Sequence, residues 1–281
     1  MIRLDFVGTC LVLCWISFVI GSSSTSNAAK TSSSFTFPYV KPDPYPVLVQ
    51  IPEGAINNFL KTGSSTGGTY AMVNATIPPG AGPPPHIHHW TNEWFYFPEG
   101  GLVIFSSDQQ YPNPAQIPNG IQLPKANMHR YYTKPGDLIY GPAFYVHGFR
   151  NEGNVSRTVI LAWTPDVMSQ YFFEVGQIFT DPCRRPDIST INKALFVSEA
   201  PKYGINMSSY WNEYVASWAD DFQPALGMAA NAQELFDLIA NSSSQNDSCK
   251  TLQSHAALSQ PSFLLIYSIG FFIEKMLFAF S

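Results

Sequence analysis

PPPHIHHWTNEWFYFPEGG, residues Pro83–Gly101, holds three of the six histidines of the chain and one glutamate among aromatic residues. A strand core has little use for imidazoles and a carboxylate, whereas a metal ion uses both. In a strand, alternate side chains share a face. His86 and His88 therefore point one way and Ile87 the other, and beyond a turn Glu93, Phe95 and Phe97 again share a face. If that turn folds one strand back on the other, two imidazoles and one carboxylate converge. A fourth group, His147, lies downstream in PGDLIYGPAFYVHGFRN (residues 135–151). Three nitrogens and one oxygen suit a first-row divalent metal with positions left open. The expected metal ligands are thus His86, His88, Glu93 and His147, with Glu93 also the candidate catalytic base. His89 faces away from His88 and reads as a surface or supporting residue; His129 and His255 read as bystanders.

The surroundings suit a β domain. The chain has 281 residues, 15% aromatic and only 12% charged, with 23 prolines and 19 glycines. That mix favours strands and turns over long solvated helices. The net charge is -5 and no basic run occurs, which argues against a nucleic-acid partner. TYAMVNATI, EWFYF, GLVIF, DLIYG and RTVILAWT are each strand-length and bounded by turn residues. After Thr164, PDVMSQYFFEVGQIF, SYWNEYVASWADDF and AQELFDLIA space their apolar residues at three and four, which predicts helices packed outside a barrel. Met72, Phe95, Phe97, Phe105, Tyr140, Tyr145 and Phe149 are candidate pocket walls by alternation.

Two spaced motifs carry a family resemblance. GAGPPPHIHHWTNEWFYFPEG fits the first cupin pattern, G-x5-H-x-H-x3–4-E-x6-G, at Gly80, His86, His88, Glu93 and Gly100. GDLIYGPAFYVHGFRN fits the second, G-x5-P-x-G-x2-H-x3-N, at Gly136, Pro142, His147 and Asn151, with Phe144 in place of the inner glycine. Residues 68–205 resemble the single-domain, quercetin-dioxygenase-like cupins, which also have PPPHIH, a TP segment before a helix with paired phenylalanines, and a later YGI. The resemblance implies a mainly β fold: one cupin-type β-barrel (a double-stranded β-helix, or jelly roll) with C-terminal helices. It also implies one divalent metal inside the barrel, with Fe, Mn, Ni, Cu and Zn all open.

The ends suggest export. An apolar run, Phe6–Ile20, follows Arg3 and precedes small residues. At about 15 residues it falls short of the roughly 20 that span a bilayer, which favours a cleaved signal over a retained anchor. Five N-x-S/T sequons, at Asn74, Asn154, Asn206, Asn241 and Asn246, suit a glycosylated, secreted protein. The tail SFLLIYSIGFFIEKMLFAFS carries Glu274 and Lys275 in an otherwise apolar run. A membrane span, an amphipathic surface helix and a removable signal for a GPI lipid anchor are its three readings, the last favoured by the Ser-rich spacer before it. The expected organisation is a signal peptide at 1–28, an extended arm at 29–67, the barrel at 68–165, a helical extension at 166–240, and a spacer with hydrophobic tail at 241–281.

Two functions of different class follow. One is a dioxygenase-type oxidoreductase acting with O2 on a small enol, flavonol or diketone-like substrate. The other is a non-catalytic extracellular protein that uses its metal to hold a small acid, sugar or hormone. Isomerase or decarboxylase chemistry is a weaker third. The partners expected are a small molecule, the membrane through the tail, and a second copy in a homodimer.

Overall fold

Proline, glycine and asparagine punctuate the chain into short apolar runs, and most of these runs are strands. In the computed structural model the described residues are 33–240, apart from 42, 45, 46, 117–126, 208–217, 222, 230 and 232. The strands are β1 (Ser33–Phe35), β2 (Val47–Gln50), β3 (Ile56–Lys61), β4 (Ala71–Ile77), β5 (His86–His88), β6 (Asn92–Phe97) and β7 (Val103–Gln110). They continue with β8 (Met128–Tyr132), β9 (Asp137–Gly141), β10 (Tyr145–Arg150), β11 (Arg157–Thr164), β12 (Gln177–Phe179), β13 (Ile205–Met207) and β14 (Ala225–Ala229), and the first helix, α1 (Gly63–Thr66), is a single turn. One sheet runs β1-β14-β9-β6-β11-β4-β3-β2-β12 and the other β13-β5-β10-β7-β8. Among these described strands the pairings are antiparallel except β1 with β14. The fold is the mainly β jelly roll expected.

Period-two alternation assigns the faces. Phe95 and Phe97 on β6, Val73 and Ala75 on β4, Leu161 and Trp163 on β11, and Phe149 on β10 fill the space between the sheets. Their neighbours Trp94, Met72, Ile160 and Ala162 are just as apolar because the outer face of the larger sheet is also covered. Phe37 and Leu235, Leu238 and Ile239 from the helix at 233–240 pack there. Thus EWFYF and RTVILAWT read as continuous apolar runs because both of their faces are buried.

The chain before residue 68 departs from a simple arm: β2 and β3 are full members of the larger sheet. The extension after 165 is likewise mixed. PDVMSQYFFEVGQIF forms a helix only over α2 (Met168–Val175) and then enters β12, which pairs with β2. Gly176 ends the helix, and a Cβ there would meet Val49 at 2.3 Å, so the turn must press directly onto β2. Residues 233–240 are helical as expected. Most of SYWNEYVASWADDF, the signal region at 1–28 and the tail at 241–281 lie outside the described residues. Among those described, no helix is long and apolar enough to cross a membrane.

Asp166 docks α2 on the barrel. Its carboxylate accepts from the N–H groups of Met168 (2.9 Å) and Ser169 (3.0 Å), which have no partner inside the helix, and from Gly63 N–H at 2.7 Å. Tyr171, Phe172 and Val175 then face the barrel. Tyr171 donates its hydroxyl to Phe196 O at 2.5 Å, which joins α2 to a short helix α3 (Lys193–Ser198).

Candidate metal centre

His86 and His147 are Cα partners on the adjacent strands β5 and β10. His88 lies on the same face of β5 as His86, while Ile87 packs on the outer face with Phe105 and Val146. Glu93 comes from β6, in the opposite sheet. The convergence expected from a hairpin between the HIH and EWF segments is therefore built differently. The two segments do not pair; they face each other across the barrel, and β10 completes the set.

The four side chains are buried, and their donor atoms lie within 4.8 Å of one another. Glu93 Oε2 is 3.0 Å from His147 Nε2, 3.2 Å from His88 Nε2 and 3.8 Å from His86 Nε2. His86 Nε2 and His88 Nε2 are 3.2 Å apart. On the far side of its ring, His86 Nδ1 donates to Pro84 O at 2.6 Å. A carbonyl only accepts, so the neutral ring carries its proton on Nδ1 and presents a bare Nε2 inward. Burial disfavours charge on His88, lowering its pKa to about 4, and likewise lowers that of His147. Burial also opposes charge on Glu93, but His147, His86 and His88 hold its carboxyl well below the usual range. Neutral imidazoles and an ionised carboxylate aimed at one point are the donor set of a divalent transition-metal site. The residues present fit such a metal.

Phe144 stands where the second motif has glycine. It keeps the left-handed conformation of that turn, with φ 74°, a region in which a bulky residue is strained. Its N–H donates to His88 O at 2.9 Å, and its carbonyl accepts from Tyr111 N–H at 2.7 Å. His89, read as a surface or supporting residue, is buried, with its ring 5.9 Å from that of Phe144. His129 sits on β8, 2.6 Å from Asp221 and away from the cluster.

A cavity of about 330 Å³ opens beside the cluster and is lined in part by His86, His88 and Glu93. Of the pocket walls proposed from alternation, only Phe149 lines it. Phe95 and Phe97 are barrel core, Met72 packs outside the larger sheet, and Phe105 packs outside the smaller one. The walls come instead from Glu53 and Asn57 near the start of the domain, Leu161 and Trp163 on β11, Tyr171 and Phe172 on α2, Phe196 on α3, and Ile205 and Met207 on β13. Alternation within a motif could not find residues this far from it. The paired phenylalanines and the YGI segment were the available signal.

Residues 58–177 match the family model described as Cupin, which supports membership of the cupin superfamily. No curated protein shows significant sequence similarity to the chain. Among solved structures, the chain is similar to CapF, a capsular polysaccharide assembling protein from Staphylococcus aureus. Identity is 19% and the TM-score 0.33, over 43% of this chain and 29% of CapF. It is also similar to a recombinant oxalate oxidase in complex with glycolate, at 18% identity and TM-score 0.31, over 47% of this chain and 57% of that one. KdgF from Halomonas sp. is similar at 16% identity and TM-score 0.31, over 48% of this chain and 96% of KdgF. The chain thus spans less than a third of the length of CapF.

Proposed function

We propose that the protein is a metal-dependent oxidoreductase of the quercetin 2,3-dioxygenase-like kind, acting with O2 on a small enol, flavonol or diketone-like substrate. The observation that carries this reading is the placing of a three-imidazole, one-carboxylate cluster against a largely apolar cavity of about 330 Å³. When bound, the metal supplies Lewis acidity and electron-transfer chemistry. The chain supplies the rest. Leu161, Phe149, Ile205 and Met207 exclude water from the reacting groups. The His86–Pro84 hydrogen bond fixes one ring and its tautomer. Glu93 holds negative charge at the cluster and is placed to take a proton from an enol hydroxyl.

The test is oxygen uptake by metal-loaded protein across flavonols, diketones and catechols. Uptake with one class is expected, and Glu93→Gln should lose more turnover than metal. No uptake together with tight binding of one of these compounds would replace this reading with that of a non-catalytic binding protein.

We further propose that the protein is exported and glycosylated, on the strength of the N-terminal apolar run and the sequons. Their positions refine the expectation. Asn74 lies within β4, 6% exposed and opposite Asn58 and Ile160, so the folded domain has no room for a glycan there. Asn154 is exposed in the turn between β10 and β11. Glycopeptide mass spectrometry of the secreted protein is expected to find Asn154 modified and Asn74 bare. A glycan on Asn74, or none on Asn154, would count against it.

A further inference from the structure

Two rings of the cluster are held from behind in different ways. His86 Nδ1 is tied to Pro84 O. His88 Nδ1 is buried and has no hydrogen-bond partner among the described residues. A ligating histidine almost always gives its second N–H to a fixed acceptor, which sets the direction of the ring. His88 lacks one, so its direction depends on how firmly its strand is held. Ile87, between His86 and His88, packs on the outer face of the smaller sheet with Phe105, Tyr111, Met128, Val146 and Trp218. Ile87, Val146, Phe105 and Met128 lie on β5, β10, β7 and β8, and Tyr111 directly follows β7. Trp218 comes from a distant part of the chain.

Trp218 is 4% exposed, and its ring meets that of Phe105 edge-on, at 5.2 Å and 68°. Phe105 passes the contact to β10. It is the Cα partner of Gly148, the residue after His147, and a Cβ on Gly148 would lie 2.7 Å from the Phe105 ring. The ring therefore rests on bare backbone beside a candidate ligand. Residues 218–221 are fastened to β8, at one edge of the smaller sheet. Arg130 N–H donates to Ala219 O at 2.7 Å, Arg130 Nε is 3.1 Å from Asp220, and His129 Nδ1 is 2.6 Å from Asp221. The chain leaves this sheet at β13, the opposite edge, where Met207 pairs with His86. The connection is thus fixed at both edges of the sheet that carries all three histidines.

We propose that residues 218–221 are a strap that sets the metal centre from behind. Trp218 is a positioning residue for His88 and His147, acting through Phe105 and the cluster around Ile87, and the ion pairs of Asp220 and Asp221 latch it in place. The latch has a fixed half and a releasable half. Arg130 is buried and also held by the Tyr132 hydroxyl (2.7 Å) and Glu152 (2.9 Å), whereas the side chains of Asp220 and Asp221 are 60% and 65% exposed. Undocking the strap leaves the same four ligands on a less constrained sheet, so it shortens the stay of the metal without removing the site. The inference needs only the metal centre, and it holds equally for an oxidoreductase and for a binding protein.

The test loads the full chain with Co2+ and follows its visible absorption and its transfer to excess chelator. Trp218→Ala is expected to release cobalt about 10-fold faster and to alter the spectrum, as when a group that orients a ligand is lost. Trp218→Phe keeps an aromatic ring against Phe105 and should restore the spectrum and most of the rate. Leu60→Ala controls for a general loss of packing. Leu60 is 3% exposed on β3, in the cluster outside the larger sheet. Either truncation lowers the unfolding midpoint, but only Trp218→Ala should hasten release. Wild-type release and spectrum in Trp218→Ala overturn the proposal, as does equally fast release from Leu60→Ala. The double variant Asp220→Asn/Asp221→Asn keeps the test decisive should Trp218→Ala fail to fold. It changes only exposed side chains and should release cobalt about two- to fivefold faster than wild type. An unchanged rate there overturns the latch, and wild type that takes up no cobalt overturns the metal centre and the strap with it.

Discussion

Replacing His86 and His88 together with alanine is expected to remove metal from the purified protein, as read by elemental analysis after expression in metal-supplemented medium. The two rings supply half of the converging donor atoms, and the remaining His147 and Glu93 come from different sheets with nothing left to bracket an ion. The single change His147→Ala should weaken binding by at least about 100-fold, because losing a group that merely orients a ligand already costs about 10- to 100-fold. His89→Ala and His129→Ala should leave occupancy unchanged, since neither ring joins the cluster. Metal is also expected to stabilise the fold. At a thousand times its dissociation constant, an ion that binds only the folded state adds about 4 kcal/mol, so chelation should lower the unfolding midpoint of wild type but not of the double variant. Full metal content in the double variant would sink the ligand assignment.

Gly82→Ala is expected to cost about 3 kcal/mol or more, because overpacking strain and a forbidden backbone act together. Gly82 has φ 154°, and a Cβ there would lie 2.1 Å from Phe149 O and 2.9 Å from Arg150 Cα. Both are backbone atoms of β10, the strand that carries His147, so no side-chain rotation relieves the clash. The neighbouring hydrogen bonds, Gly80 N–H to Asn151 O at 2.8 Å and Asn151 N–H to Ala81 O at 2.9 Å, hold the two segments in register. Gly67→Ala is the control. Gly67 is also left-handed, with φ 63°, but a Cβ there meets nothing within 4 Å. It should cost only the conformational penalty, about 1–2 kcal/mol. Denaturant midpoints of the two variants separate the contributions, and equal losses would show that the contact with Phe149 is unimportant.

The convergence of the four side chains was legible because its information is local. His86 and His88 are two residues apart on one strand, and Glu93 and His147 sit at fixed distances within short motifs whose turns are set by glycine and proline. The way the strands close was less legible. The pairing of β5 with β10 joins residues about sixty apart, and nothing in HIHHW says that its neighbour will be YVHGF rather than EWFYF. The cavity was the least legible part. Asn57 resembles any polar residue in a strand until β3 is known to line the cavity, and Ile205 reaches the wall only because β13 pairs with β5. The apolar outer face of β6 was ambiguous for a similar reason. Trp94 is buried by Phe37, far away in sequence, and a strand cannot announce what will cover it.

That cover also ties the two ends of the described residues together. Ser33 of β1 lies beside Gly227 of β14 in a parallel pair, and Asn231 clasps Phe37 from both sides, accepting from its N–H at 3.0 Å and donating to its carbonyl at 2.7 Å. The first and last strands are thus sewn together along one edge of the larger sheet. In topological terms the domain is close to a ring whose opening is a matter of chain order rather than of architecture. Residues 33–37 and 227–231 therefore share one corner of the barrel, and a chain break in either segment would loosen both.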